Sequence, residues 1–236
     1  VYMRQCKLDF ETGSDEGSGI HLFTPIGFLD DTWWHRAYWV FNNEFKSHWS
    51  GWWKVGNEVP SGRILSYDDD LIYGFGRSAY PGGNTGQWRG GEKYQLFAVN
   101  RNQSGALSKQ PAQPQPAQDR RGQNPPKKKG KRKSPAKRKV PNLWETNIPL
   151  LATSLTATKN AVYTAGPPNM FEAKAASGEG ALKLTDSATA LAAWQGEKGG
   201  ILYGASASDG KKLVQIDLPA PTVFDGMAAA NESLFL

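Results

Sequence analysis

The amino-acid sequence predicts an all-β protein with one short helix. The first hundred residues hold seven of the nine Trp together with many Gly and Asp, and they show almost no apolar spacing of helical period. From residue 147 the segment NIPLLATSLTATKNAVYTAGPP returns to β-branched and apolar residues. Further on, Leu182, Leu184, Ala188, Leu191 and Trp194 recur near a helical spacing, which predicts a short helix around residues 185–195.

An internal repeat predicts how the strands are arranged. Residues 64–76 (ILSYDDDLIYGFG), 155–166 (LTATKNAVYTAG) and 227–236 (MAAANESLFL) share one pattern. Each begins with apolar residues, continues through a polar turn with Asp or Asn, and ends on an apolar residue followed by Tyr or Phe. Tyr73, Tyr163 and Phe235 fall in register. Because Asp and Asn adopt the backbone angles of tight turns, each copy is predicted to be a β-hairpin.

A second pattern follows the first two hairpins. YQLFAVNRNQSGAL (94–107) and GILYGASASDGKKL (200–213) each predict a strand, a polar turn with Gly and another strand, with Leu96-Phe97 matching Leu202-Tyr203. Two successive hairpins form a four-stranded meander, and with the insertions removed the copies recur about every fifty residues. A meander of that period is the unit of a propeller, so the sequence predicts an incomplete β-propeller of four-stranded antiparallel blades. A β-sandwich, the alternative, produces hairpins at similar intervals.

A long insertion divides the chain. Residues 102–141 are rich in Pro and Gln and then in Lys and Arg, a composition that buries too little apolar surface to fold, so this segment is predicted to be disordered. The predicted organisation is a partial blade plus one blade with long loops in 1–101, the insertion in 102–141, and one blade plus the start of the next in 142–236.

The basic part of the insertion has two interpretations. Residues 120–139 contain eleven Lys or Arg and no acidic residue, and without these eleven the formal charge of the chain changes from +6 to −5. They form either a solvated linker in a surface loop or a contact for a polyanion. Sequence-specific nucleic-acid binding is not expected, because no aromatic residues are interleaved for base stacking. The candidate contact residues are Lys127, Lys128, Lys129, Lys131, Arg132, Lys133, Lys137, Arg138 and Lys139.

The C-terminal segment carries a family resemblance. Ser208-Asp209-Gly210-Lys211, Pro219-Ala220-Pro221 and the run FDGMAAAN at 224–231 resemble the terminal blades of bacterial quinoprotein-like propellers of the pyrroloquinoline-quinone-repeat type. Earlier segments of the chain are similar to the preceding blades. The resemblance implies a non-catalytic binding or scaffolding propeller, completed by the remainder of a longer chain, in an exported periplasmic or extracellular protein with protein or polysaccharide partners.

The same superfamily also implies an alternative, a quinone-dependent oxidoreductase module. No cofactor is visible in the sequence, and pyrroloquinoline quinone follows from this analogy alone. Dehydrogenases of the superfamily need a calcium-binding acidic cluster, a catalytic Asp and a vicinal disulfide. The single cysteine, Cys6, cannot form a vicinal disulfide.

One aromatic cluster near the N-terminus is a candidate ligand site. Aromatic faces bind planar groups while polar tips orient them, but large side chains also pack between the blades of a propeller, and both interpretations stay open. The cluster consists of His21, Trp33, Trp34, His35, Arg36 and Trp39, with Tyr38 between the last two.

Other polar groups are not predicted to be catalytic or metal-binding. His21, His35 and His48 are separated by 14 and 13 residues, which is not a local metal-ligand spacing. Asp68-Asp69-Asp70 lacks the Gly and the distal Glu of a calcium loop and is expected to form a solvated turn. No nucleophile motif or phosphate-binding loop is present, and no apolar run is long enough to span a membrane.

Overall fold

The computed structural model describes residues 8–14, 21–23, 36–40, 56, 59–78, 93–101, 140–171, 184 and 186–236. Strands dominate these residues, and every strand pair is antiparallel. The all-β prediction is therefore confirmed.

The strands form four sheets that follow one another along the chain. Sheet I contains β1 (His21–Phe23), β2 (Ala37–Val40) and β3 (Ser61–Gly62). Sheet II contains β4 (Ile64–Tyr67), β5 (Leu71–Arg77), β6 (Tyr94–Asn100) and β7 (Trp144–Thr146). Sheet III contains β8 (Ser154–Ala157), β9 (Ala161–Gly166), β10 (Gly200–Ser206) and β11 (Lys212–Leu218). Sheet IV contains β12 (Ala228–Ala230) and β13 (Ser233–Phe235).

The three predicted hairpins are confirmed as β4–β5, β8–β9 and β12–β13. Tyr73 lies opposite Ser66 on one side and Ala98 on the other. Tyr163 lies in the same place in sheet III, opposite Thr156 and Gly204. The repeat seen in the sequence is thus a repeat of strand register.

The register also confirms the match between Leu96-Phe97 and Leu202-Tyr203. Leu96 and Phe97 pair with Phe75 and Gly74 of the preceding strand. Leu202 and Tyr203 pair with Ala165 and Thr164, which are the equivalent positions of sheet III. Sheets II and III are both four-stranded meanders in which neighbouring strands are consecutive in sequence.

The fourth strand of sheet II differs from the prediction. A strand was expected directly after the turn that follows β6, near residues 102–107, which lie outside the described residues. Instead β7, from beyond the insertion, pairs with β6 through Leu96↔Thr146 and Ala98↔Trp144. The insertion therefore interrupts the β6–β7 connection, which in sheet III is the short turn between β10 and β11.

The predicted disorder of the insertion concerns residues that are almost entirely outside the described part of the chain. Val140 and Pro141, at its C-terminal end, are described, and Val140 is buried. Val140 belongs to the same apolar cluster as Phe97 and Val99. Val140, four residues before β7, therefore packs against sheet II.

Sheet II is buried on both faces. One face contributes Tyr73, Phe75, Leu96 and Ala98 to a cluster that also contains residues of sheet III, including Leu155, Val162, Tyr203 and Ala205. The opposite face contributes Leu65, Ile72, Phe97 and Val99 to a second cluster with Ala37, Tyr38 and Trp39 of β2. Because both faces are covered, β5 and β6 carry apolar residues at nearly every position rather than at alternate ones.

Trp144 joins sheets II and III. Its indole Nε1–H donates a hydrogen bond to the carbonyl oxygen of Ala207 at 2.9 Å, and its ring lies 6.3 Å from the Tyr73 ring centre to centre. Gly210, in the β10–β11 turn, has a positive φ of 71°, and a Cβ there would lie 2.4 Å from the Trp144 ring. Only glycine meets both requirements.

The same turn is shaped by Asp209. Its carboxylate accepts the Lys211 amide N–H at 3.2 Å and pairs with the Lys211 ammonium at 2.8 Å. The hydrogen bonds from Lys211 and Ser206 lower the pKa of Asp209 to about 2. The charged carboxylate therefore favours the conformation that places Gly210 against the indole.

The predicted helix is confirmed as α1 (Ser187–Trp194). Asp186 caps it, because its carboxylate accepts the Thr189 amide N–H at 2.7 Å. Gly196 and Gly199, both with positive φ, reverse the chain after the helix so that β10 can begin at Gly200. No helix among the described residues is long and apolar enough to cross a membrane.

The structure shows four-stranded antiparallel sheets but not a closed propeller. Strand β4 contacts β8, and β8 contacts β12, so the first strands of sheets II, III and IV are neighbours. Within the described residues the sheets do not close into a ring.

Gly210→Ala is expected to lower the free energy of unfolding by about 2–4 kcal/mol, because the new Cβ is strained at positive φ and collides with Trp144. Gly196→Ala is the matched control: its φ is 88°, but the nearest atom to its Cβ would be a Pro221 ring carbon at 3.3 Å. It should lower stability by only about 1 kcal/mol. Urea denaturation of both variants measures the difference, and equal losses would show that the Trp144 contact contributes nothing.

Candidate functional site

A cavity of about 310 Å³ opens where sheets II and III begin, and it is the candidate functional site. Arg63 directly precedes β4 and Thr153 directly precedes β8. These are equivalent positions of the repeat, because the Arg63 N–H donates to Phe75 O at 2.8 Å and the Thr153 N–H donates to Ala165 O at 2.9 Å. The cavity is lined by Arg63, Thr153, Pro167, Trp194, Pro221, Thr222 and Phe224.

Arg63 is the unusual residue of this cavity. It is 4% exposed, and its Nε is buried without a hydrogen-bond partner. Its guanidinium forms no hydrogen bond and no ion pair with the described residues, its Nε is fully enclosed, and none of the lining residues is acidic. Because removing a charge from water without a partner is costly, folded proteins pair most arginines that are this deeply enclosed.

Hydroxyl groups form another part of the lining. The Thr153 hydroxyl lies 3.0 Å from that of Thr222, which lies 2.9 Å from the Ser154 hydroxyl. The Asp225 amide N–H also donates to Thr153 O at 2.9 Å. These bonds hold the segment that follows β11 against sheet III, and they place two hydroxyls within the cavity lining.

Apolar groups complete the lining. Pro167 follows β9, and its carbonyl accepts the Leu151 amide N–H at 2.9 Å, which extends the β8–β9 pairing beyond the strands. Trp194 is the last residue of α1 and remains 58% exposed although it lines the cavity. The site thus combines one fixed cation, two hydroxyls and an aromatic surface.

This arrangement is suited to holding an anion. A guanidinium offers several N–H donors in a planar fork that matches a carboxylate, and the interaction is stronger where water is excluded. A hydroxyl whose single proton is not donated to a neighbouring oxygen can add one hydrogen bond to the anion. The donors and the aromatic surface of the described lining residues therefore suit the binding of an anion.

The aromatic cluster proposed from the sequence is only partly within the described residues. Arg36, Tyr38 and Trp39 are all buried, and Tyr38 and Trp39 lie in the apolar cluster between sheets I and II. His21 lies on β1. Trp33, Trp34 and His35 lie outside the described residues, so the choice between ligand contact and packing stays open for the cluster as a whole.

Trp39 contacts a cation that the sequence did not single out. The guanidinium of Arg101 lies 5.3 Å from the Trp39 ring and 5.1 Å from the Tyr67 ring, and the two rings are 4.8 Å apart. Arg101 also donates to Asp68 O at 2.7 Å. This cluster fixes the β4–β5 turn to the end of β6.

Asp68 organises that turn. Its carboxylate accepts the amide N–H groups of Asp70 and Leu71 at 2.9 and 2.7 Å and the Tyr73 hydroxyl at 3.1 Å. Burial of the phenol, the charge of Asp68 and this hydrogen bond raise the pKa of Tyr73 above its usual value. Asp69 and Asp70 are exposed, as expected for a solvated turn.

The remaining predicted site residues cannot be placed. The candidate polyanion contacts at 127–139 lie outside the described residues. Among the residues that the structure describes, no group of three or more His, Cys, Asp or Glu is arranged to hold a metal ion.

Arg63 is not among the site residues predicted from the sequence. The available signal is a charged residue directly before the predicted strand of the first hairpin, at the position where the second copy of the repeat has Thr153. A buried position next to a strand rarely carries a charge that is neither functional nor paired. The other residues that line its cavity, however, lie at least 90 positions away in sequence, so the sequence does not reveal that none of them pairs with Arg63.

No family model, curated protein or solved structure matches this chain. The resemblance to quinoprotein-like propellers therefore stays a prediction.

Replacing Arg63 with Met is expected to raise the free energy of unfolding by about 1–3 kcal/mol, because it removes an unpaired buried charge and keeps a side chain of similar length. Arg101→Met is the matched control and should lower it by about 1 kcal/mol, since Arg101 has a hydrogen bond and two aromatic contacts. Urea denaturation distinguishes the two. If Arg63→Met destabilises the protein as much as Arg101→Met, the guanidinium of Arg63 has a structural partner.

Proposed function

We propose that this chain is a non-catalytic binding module whose sheets are blades of an incomplete β-propeller, and that it takes a small anionic ligand in the cavity at Arg63. The observation that carries the proposal is the buried guanidinium without a hydrogen bond or ion pair among the described residues. A ligand anion supplies the missing partner.

The repeat supports the propeller part of the proposal. Sheets II and III are meanders in the same register, the first strand of sheet II neighbours the first strand of sheet III, and the latter also neighbours β12. Propellers place four-stranded sheets around a central channel, so neighbouring first strands are the arrangement expected of blades. The cavity lies at the ends of these first strands, where a channel would open.

The charge of the cavity lining indicates that the proposed ligand is a monoanion. Arg63 is the single cation among the seven lining residues, and the others contribute two hydroxyls and apolar surface. One guanidinium balances one carboxylate, whereas a phosphate dianion would keep an uncompensated charge in a partly desolvated site.

The proposals about the longer protein and its partners are based on the sequence resemblance alone. Membership of a longer exported bacterial protein and contact with protein or polysaccharide partners follow from the resemblance. The alternative of a quinone-dependent oxidoreductase has a direct test: pyrroloquinoline quinone with calcium should yield a bound quinone spectrum and dye reduction. Neither signal is expected from a non-catalytic module.

The proposed site is tested by titrating the ¹⁵N-labelled chain with sodium acetate, with sodium chloride at equal ionic strength as the reference. Acetate should shift the amide signals of Thr153 and Thr222 and saturate, and Arg63→Met should abolish the shifts. Lys212→Met removes one exposed cation outside the cavity and should leave them unchanged. The proposal is wrong if Arg63→Met binds acetate as tightly as the unmodified chain does, or if the unmodified chain does not bind acetate.

A further inference from the structure

A second cavity adjoins the Arg63 cavity. It has a volume of about 360 Å³ and shares Pro167 and Trp194 with the first. Leu151, Phe171, Leu184 and Leu191 contribute to its lining, and apart from Ser187 every lining side chain is apolar.

The apolar surface of this cavity is unusually accessible. Leu191 is 56% exposed and Trp194 is 58% exposed, both on α1, and Leu184 beside the helix is 39% exposed. A helix usually buries its apolar face, whereas in α1 the residue Ala193 alone is buried. Contiguous exposed apolar side chains next to a polar pocket are a common feature of ligand-binding grooves.

We infer that the two cavities form one groove for a small amphipathic carboxylate, with the carboxylate at Arg63 and a hydrocarbon tail beyond Trp194. This inference rests on the proposed function and names its ligand class. The occupant is assigned by charge complementarity at one end and by the apolar lining at the other. The combined size falls within the range of small-molecule pockets, which are mainly apolar with a few orienting polar groups.

Trp194 is a positioning residue in this arrangement. It lines both cavities, so its ring contacts the ligand where the polar head passes into the tail. The side chain is held at the end of α1, after which Gly196 at φ 88° turns the chain away. The hydroxyls of Thr153 and Thr222 lie in the first cavity only, which fixes the direction of the ligand.

The inference is tested by calorimetric titration with acetate, butyrate, hexanoate and octanoate. Each added methylene that enters the second cavity should tighten binding about fourfold. Octanol, which lacks the charge, should bind at least tenfold more weakly than octanoate. Octyl phosphate should not bind more tightly than octanoate, and tighter binding would overturn the assignment of a carboxylate.

Two helix variants locate the tail. Ala190 lines the second cavity, so Ala190→Phe should fill it and remove the dependence on chain length while acetate binding persists. Ala188 is exposed and does not line the cavity, so Ala188→Phe is the matched control and should retain the fourfold increments. Circular dichroism and thermal unfolding confirm that both variants fold.

The outcomes separate this inference from the proposed function. If acetate and octanoate bind equally well and both need Arg63, the anion site stands and the tail groove is wrong. A chain-length dependence that survives in Ala190→Phe also contradicts the groove. If no carboxylate depends on Arg63, both the proposed function and this inference fail.

Discussion

The burial of sheet II on both faces is the constraint on which the rest of the structure depends. Its strands pack against β2 on one side and against sheet III on the other, so each sheet stabilises the next in the order of the chain. Trp144 makes the contact between sheets II and III specific. Its indole N–H donates a hydrogen bond to the Ala207 carbonyl, and its ring occupies the space next to Gly210, which has no side chain. Since apolar burial is the main favourable term in folding, the sheets are expected to fold as one stack rather than as separate hairpins. The long insertion is compatible with this stack because β6 and β7, on either side of it, pair directly.

The candidate site arises where the repeat is not exact. Equivalent backbone positions carry Arg63 in sheet II and Thr153 in sheet III, and the packing of the two sheets brings them into one cavity. A Thr at both positions would leave a small polar cleft, whereas the arginine introduces a charge that the described residues do not neutralise. Proteins commonly accept such a local loss of stability at sites that bind a ligand. A helix inserted between β9 and β10 then adds Trp194 and Leu191, so the apolar half of the groove also comes from a departure from the repeat.

The sequence predicted the features that depend on neighbouring residues. The hairpins followed from polar turns between apolar runs, and the helix followed from the spacing of Leu184, Ala188 and Leu191. The partner of β6 was predicted wrongly, because a strand of three residues separated from β6 by more than forty positions leaves no local signal. Arg63 was missed for the same reason. The residues around it come from the segments at β8, at α1 and after β11, which are distant in sequence and include no acidic partner. The closure of the sheets into a propeller remains a prediction.

The guanidinium of Arg63 forms no ion pair with the described residues, and we propose that it binds a carboxylate ligand. The most direct measurement is the ¹⁵N–¹H spectrum of the arginine Nε–H groups, with the Arg63 signal assigned by its absence from Arg63→Lys. We expect this signal to move when octanoate is added and to stay in place when sodium chloride is added. A signal that remains unchanged at concentrations of octanoate that saturate the protein would show that Arg63 does not bind the carboxylate.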